Sequence, residues 1–358
     1  MKQSNISKSL EKKVRDGVVI PAMPLALNDE RNIDERNQKA ILRYYLDAGV
    51  GGIAVGVHST QFEIRDPDIA LFKPVLNFAS EVIDDECRKQ NKEILKIAGI
   101  CGKTDQAVSE ATFASESGYH AGLLSLTSFA DAENPQIIRH CQAISEIIPL
   151  VGFYLQPAVG GRVLDYAFWR EFVEIENAFA IKIAPFNRYY THEVVRAVCD
   201  AGREDDIILF TGNDDNILMD LLTEYRIHTT HGDRKKIING GLLGHWAVWT
   251  EKAVQLLEDV KKWRDSGQDI PKEWLTLAAE ITDSNSAFFD TKHHFKGSIP
   301  GIHEVLRRQG LMQSIRCLDP DLRLSPGQKE EIDRVYNAYP HLNDDSFVKQ
   351  NLNHWLED

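Results

Sequence analysis

Short apolar runs alternate with amphipathic stretches along most of the chain. The runs fall at 17–24, 51–57, 93–100, 119–126, 149–157, 179–185, 206–212 and 236–241. Each is short and almost unbroken by polar residues, as in strands buried on both faces of a parallel sheet. Between them lie stretches with helical periodicity, such as 32–48 with Ile33, Ala40, Ile41, Tyr44, Tyr45 and Leu46, and Gly49 at its end. Strand then helix, eight times over, predicts an α/β fold: a (β/α)8 TIM barrel over 17–265. Residues 1–16 read as a mobile or lightly docked arm, and 266–358 as a C-terminal helical extension punctuated by Pro300 and Pro320. An open doubly wound sheet would carry a glycine-rich phosphate turn after its first strand. Here that strand ends in Pro21 and Pro24.

The run Phe179-Ala180-Ile181-Lys182-Ile183-Ala184-Pro185 carries a lysine in its middle. Strand side chains alternate, so Lys182 shares its face with Ala180 and Ala184, which leave room around the amine. Two readings stand. The lysine snorkels to solvent or pairs with a carboxylate, or burial lowers its pKa so that it attacks a carbonyl. On the preceding strand Gly152, Tyr154 and Gln156 share a face, and the Tyr154 hydroxyl is expected to point into the same cavity as the amine. The other reading of Tyr154 is a packing residue with its hydroxyl tied to backbone.

Barrels of this kind place reactive groups at the C-terminal ends of strands and in the loops that follow. The rule selects His58, Ser59 and Thr60 after strand two, Cys101 after strand three, and Thr211, Asn213 and Asp214 at strand seven. At strand eight it selects Asn239, Gly241 and His245. The set has few carboxylates and no converging histidine cluster, so no metal site is expected.

Composition narrows the partners. The chain of 358 residues is 43% hydrophobic and 27% charged, with a net charge of -13. That balance is unfavourable for nucleic acid or an anionic membrane surface. No run has the length of a membrane span or a signal-peptide core. The five cysteines are scattered and lack Cys-x-x-Cys spacing, as in a reduced, cytoplasmic protein.

The segments Gly152-Phe153-Tyr154-Leu155-Gln156-Pro157 and Ala180-Ile181-Lys182-Ile183-Ala184 resemble the Tyr-Asn-x-Pro and Ile-Lys segments of the dihydrodipicolinate synthase / N-acetylneuraminate lyase superfamily. The tyrosine-to-lysine spacing is similar too. Ile97-Ala98-Gly99-Ile100-Cys101-Gly102 resembles the family's third strand, Phe210-Thr211-Gly212-Asn213-Asp214-Asp215 its seventh strand end, and Ser298-Ile299-Pro300-Gly301 its C-terminal helical segment. The resemblance implies that Lys182 forms a Schiff base with a 2-keto acid such as pyruvate, or with a hydroxylated sugar acid. It implies that Tyr154 relays protons and that no cofactor is needed. It also implies a homo-oligomer, dimer or tetramer.

The sequence departs from the family at several places. Gly56-Val57-His58-Ser59-Thr60-Gln61 stands where the family has Gly-Thr-Thr-Gly-Glu, so Ser59 and Thr60, with His58, are the expected carboxylate-binding groups. Thr211, Asn239 and Gly241 are further expected substrate contacts. The second relay tyrosine has no match at Ser125-Leu126-Thr127-Ser128-Phe129, and the arginine that grips the synthase's second substrate is missing, with Arg162 lying further on. These changes point away from dihydrodipicolinate synthesis and towards another Schiff-base aldolase or dehydratase. A second reading is a catalytically inactive barrel that binds a small acid or a protein partner. A third is a metal-dependent hydrolase using His58, His120 or His245 with Asp214.

Overall fold

Strands with no polar alternation are buried on both faces, and they form where seven of the eight apolar runs predict them. The computed structural model describes residues 6–357. In chain order the elements are α1 (Lys8–Asp16), β1 (Val19–Pro21), α2 (Glu35–Ala48), β2 (Gly52–Val55), α3 (Phe72–Gln90), β3 (Leu95–Ile100), α4 (Thr104–Glu116), β4 (Ala121–Leu124) and α5 (Asn134–Ser145). There follow β5 (Leu150–Leu155), α6 (Tyr166–Phe172), β6 (Ala178–Ala184), α7 (Arg188–Asp200), β7 (Ile208–Thr211), α8 (Ile217–Leu222), β8 (Glu224–Thr229), β9 (Gly232–Ile237) and β10 (Gly240–Leu243). The remainder is helical: α9 (Thr250–Ser266), α10 (Glu273–Phe288), α11 (Ser298–Arg308), α12 (Gln328–Ala338) and α13 (Asp345–Trp355).

Eight strands form one sheet in the order β1-β10-β7-β6-β5-β4-β3-β2. Its two ends meet through a parallel bridge between Ala22 and Ala54, where the Met23 N–H donates to the Ala54 carbonyl at 2.8 Å. This is a TIM barrel followed by C-terminal helices.

The chain divides into two compact units. One comprises the described residues up to Val18 together with Leu95–Leu242; the other comprises Val19–Ile94 and the described residues from Leu243 onward. In the first, the stretch expected to be a mobile or lightly docked arm forms α1, which is docked; residues 1–5 of that stretch lie outside the described residues. Leu10 and Val14 are buried, which anchors α1 through its apolar stripe. Arg15 Nη1 donates to the carbonyls of Asp205 and Asp206 (2.5 and 3.0 Å), and Asn239 Nδ2 donates to the Arg15 carbonyl at 2.6 Å.

The eighth barrel strand is displaced from its expected position. Lys236 and Ile237 belong to a β-hairpin, β8–β9, paired in register from Glu224↔Ile237 to Thr229↔Gly232. The barrel strand begins only at Gly240. The hairpin turns at Gly232, whose φ of 98° suits glycine. It follows the six-residue α8, and Tyr225 meets His192 of α7 edge-on at 6.2 Å.

In the second unit the extension is bolted to α2. The Tyr44 hydroxyl donates to Asp344 at 2.7 Å, and Asp344 also accepts from the Glu251 N–H and Gln309 Nε2. Arg43 pairs with Glu86 at 2.9 Å and donates to the Trp355 carbonyl at 3.0 Å, while Trp355 Nε1 donates to Asp47 at 2.7 Å. A buried charge held by paired partners at this many points is costly to uncouple.

Candidate active site

Strand register decides which side chains meet Lys182. In a parallel pair, partners in register present their side chains to the same face. Lys182 is in register with Phe153 of β5 and Phe210 of β7. Its amine lies 4.5 Å from the centre of the Phe153 ring. Gly212 follows on that face: a Cβ built there would stand 2.7 Å from Lys182 Cε and 2.8 Å from the Ala184 Cβ. The lysine's stem therefore occupies space that only a glycine leaves open. Ala184 shares the lysine's face, as the alternation predicts.

Lys182 is 9% exposed. Burial lowers its pKa from 10.5 to about 8, against the Asp214 carboxylate, which raises it. Desolvation wins because an ammonium among apolar groups loses more hydration than one partner restores. Asp214 is itself buried, past the end of β7.

Tyr154 lies on the other face, which corrects the expectation that it shares the amine's cavity. It is in register with Ile183. A Cβ on Gly152, two residues earlier, would meet the rings of Phe172 and Trp169 of α6, so this face is turned to the helices. The Tyr154 ring packs on Trp169 (5.5 Å) and stacks on Tyr190 (5.8 Å). Its hydroxyl accepts the Leu164 N–H at 3.2 Å. Burial raises its pKa well above the usual phenol value. A one-residue error in the phase of β5 separates expectation from observation, because every step along a strand exchanges faces. The sequence signal was present: Phe153 was the alternative phase.

Thr211 and Gly241 are in register with each other, on the face opposite Phe210 and Lys182. The Thr211 hydroxyl donates to Asp220 of α8 at 2.6 Å. Asp220 is fully buried and also accepts from Asn213 Nδ2 (3.0 Å) and Asn216 Nδ2 (3.1 Å), and pairs with Arg188. This hub, which sequence reasoning did not find, fixes the turn that carries Asn213 and Asp214. Asn239 is also misplaced by expectation. It precedes β10, at the N-terminal end of the strand, where its side chain holds α1. The hairpin is the reason: it consumes the residues read as strand eight.

In the second unit, the loop after β2 forms a 3-10 turn over His58–Thr60. The Ser59 hydroxyl donates to the Ala22 carbonyl at 2.9 Å, and the Thr60 hydroxyl to the Met23 carbonyl at 2.7 Å. Thr60 Oγ1 also accepts the Gly56 N–H. Both hydroxyl hydrogens thus serve the end of β1. His58 is half-buried, with its ring edge-on to Phe62 at 5.9 Å.

The histidines of the metal reading are not gathered. His120 Nδ1 accepts the Lys96 N–H at 2.9 Å. His245 is buried against Phe288 (5.8 Å), and burial lowers its pKa to about 4. Among the described residues no group of three or more His, Cys, Asp or Glu is arranged to hold a metal ion, and no helix is long and apolar enough to cross a membrane.

A second buried lysine has a different setting. Lys236 Nζ donates to the Ile207 carbonyl at 2.7 Å and to the Glu204 carbonyl. Burial lowers its pKa to about 8 as well.

The sequence model of the dihydrodipicolinate synthetase family matches residues 16–224. No curated protein matches the sequence significantly. Among solved structures, dihydrodipicolinate synthase from Oceanobacillus iheyensis is similar at 15% identity, covering 93% of this chain and 99% of that one, with a TM-score of 0.73. CdNal from Clostridium difficile, in complex with mannosamine, is similar at 19% identity, covering 90% and 99%, with a TM-score of 0.70. N-acetylneuraminate lyase from Fusobacterium nucleatum, complexed with pyruvate, is similar at 18% identity, covering 92% and 99%, with a TM-score of 0.69. At these identities the likeness is one of fold.

Proposed function

The chain belongs to the dihydrodipicolinate synthetase family, and on that premise we propose that it is a lyase of the aldolase or dehydratase kind in which Lys182 forms a Schiff base with a 2-keto acid. The observation that carries this reading is the buried amine itself, with its pKa lowered to about 8 beside Phe153 and Gly212. An ordinary lysine with a pKa of about 10.4 leaves roughly one amine in 2,500 unprotonated at pH 7; at a pKa of about 8 the fraction is about one in ten.

The free amine adds to the keto carbon, and the carbinolamine loses water to leave a protonated imine. That cation withdraws electrons from the neighbouring carbon, so a C–C bond there breaks or forms, or a β-hydroxyl departs. Asp214, whose charge acts on the amine, is our candidate for holding the proton that addition and water loss exchange. The relay role that the resemblance gives to Tyr154 is disfavoured by its helix-facing side chain and by its bond to Leu164. A Tyr154→Phe variant is expected to keep imine formation within about threefold; a loss of 100-fold or more, on the scale of a lost acid–base group, would restore the relay role.

The substrate class we propose is pyruvate or a hydroxylated sugar acid. The solved complex of a similar protein with pyruvate supports the keto acid. The carboxylate-binding role expected of Ser59 and Thr60 stays a proposal, and the use of both hydroxyl hydrogens by carbonyls weighs against direct donation. His58 is then the side-chain donor that we favour in that loop. Homo-oligomeric assembly is also proposed, for light scattering to check.

Those same hydroxyls and the outward Tyr154 favour the second reading, a barrel that binds a small acid without catalysis. Borohydride reduction in the presence of pyruvate, followed by peptide mass mapping, separates the two. A stable adduct on Lys182, absent from Lys182→Ala, is expected. Folded protein that gives no adduct with pyruvate or larger keto acids would leave the binding reading.

A further inference from the structure

Where the ladder between β6 and β7 ends, a side chain carries the join onward. The final register pair is Ile183↔Thr211, closed by the Gly212 N–H donating to the Ile183 carbonyl at 2.7 Å. Asn213 then takes over with its amide. Its Oδ1 accepts the Phe186 N–H at 3.0 Å, and its Nδ2 donates to Asp220 at 3.0 Å and to Thr191 Oγ1 at 3.4 Å. Asn213 is fully buried. An amide offers an acceptor oxygen and two N–H donors, and all are used here in one orientation: oxygen towards an N–H, nitrogen towards a carboxylate. Aspartate in its place would set a second carboxylate against Asp220. Leucine would take this acceptor from Phe186 and a donor from Asp220.

Both loops are held in shape by this amide. Phe186, just past the end of β6, has φ 51°, a backbone that a bulky residue keeps only where its surroundings fix it. On the β7 side the Asn213 carbonyl accepts the Asn216 N–H at 2.9 Å, and the Asp214 N–H donates to the Gly212 carbonyl at 3.1 Å. Asp214 therefore sits in a turn whose pitch Asn213 sets. The surroundings of the Lys182 amine make that pitch matter. β5 presents the Phe153 ring, and β7 presents Phe210 in register and then Gly212. Asp214 is the charged group that acts on the amine. The neighbouring Asp215 is exposed, and Arg188 and Asp220 are paired with each other.

We propose that Asn213 is a positioning residue: it locks the loop after the lysine strand to the turn after β7, and so holds the Asp214 carboxylate in the place from which it serves imine formation at Lys182. The proposal rests on the Schiff-base reading above. Asn213 takes no part in the bond changes. It acts through Asp214, and its effect is lost when the Asp214 charge is removed.

The test is the titration of the Lys182 amine in the full chain, read from its Cε NMR shift in protein carrying isotope-labelled lysine and assigned by its absence from Lys182→Met. Asp214 raises the basicity of the amine, so a variant in which the carboxylate drifts away titrates lower. Asn213→Leu is expected to move the midpoint down from about 8 by at least about half a pH unit, and to slow borohydride trapping of pyruvate on Lys182 at least about tenfold. Asn213→Ser lacks the reach of the amide; it is expected to move both the same way, and it decides the matter if the leucine variant does not fold. Asp214→Asn sets the limit: adding Asn213→Leu to it is expected to move the midpoint no further. A merely structural role would lower the melting temperature and leave the midpoint of the folded protein alone. An unmoved midpoint beside normal trapping, or a shift that persists undiminished in the Asp214→Asn background, would overturn the proposal. No trapping in the parent protein with any keto acid would instead overturn the functional reading on which it rests.

Discussion

Burying an amine makes its proton a liability for the folded state. The unfolded chain keeps a proton on Lys182 up to a pKa near 10.5, while the folded chain releases it at about 8. Below pH 8 the folded protein therefore carries a desolvated cation, and the destabilisation is fully present. It is relieved as pH rises from 8 to 10.5. Lys182→Met is thus expected to be more stable than the parent at pH 7 by about 1–3 kcal/mol, with the difference fading towards pH 10.5; urea melts at the two pH values check this. The same titration predicts that the rate of imine formation climbs with pH and levels off above about 8, measurable by trapping at short times. Gly212→Ala tests the space around the stem. A Cβ there collides with Lys182 Cε and Ala184, so the variant is expected to lose about 1–3 kcal/mol of stability and to trap keto acid at least tenfold more slowly. Lys182 was legible as a residue because a charge interrupts an apolar strand. Its ring partner was not: Phe153 and Tyr154 are adjacent aromatics, both suited to a strand, and only the register chooses between them.

Elements fail or succeed through their connections. Seven barrel strands could be read from apolar runs because burial on both faces leaves no polar alternation to confuse. The eighth could not, because Lys236-Ile237-Ile238 looks apolar enough to begin a barrel strand, yet Lys236 and Ile237 pair with Tyr225 and Glu224 in a hairpin. The hairpin's outer positions are charged, so its period-2 pattern is faint. Asn239 was lost with it. The turn after β7 depends in a similar way on one buried carboxylate. Asp220→Ala removes the acceptor for Thr211, Asn213 and Asn216 and the partner of Arg188. Arg188 is 41% exposed and stays solvated, so the loss comes from the orphaned buried donors and is expected to be about 1–3 kcal/mol, read as a shift of the denaturant midpoint at unchanged slope.

At the scale of the molecule, the helices after the barrel are part of its second unit. Tyr44, Arg43 and Asp47 of α2 hold Asp344 and Trp355 by three hydrogen bonds; Asp344 also accepts the Glu251 N–H, and Arg43 is paired with Glu86. Trp355→Ala is expected to cost about 3–5 kcal/mol, checked by thermal melting, and the loss should not be confined to α13. The sequence hinted at helices there and left their attachment open, since ties such as Gln61 to Leu318 join residues hundreds of positions apart. Two lysines with similarly depressed basicity, Lys182 and Lys236, have different requirements. Lys236 is held by two carbonyl oxygens and serves as a donor; Lys182 serves once it has lost its proton. An amine-selective acylating probe applied near pH 8 is therefore expected to mark Lys182 ahead of Lys236, whose nitrogen is held against two carbonyls, so the labelling pattern would report which buried amine is free to turn its lone pair towards an electrophile.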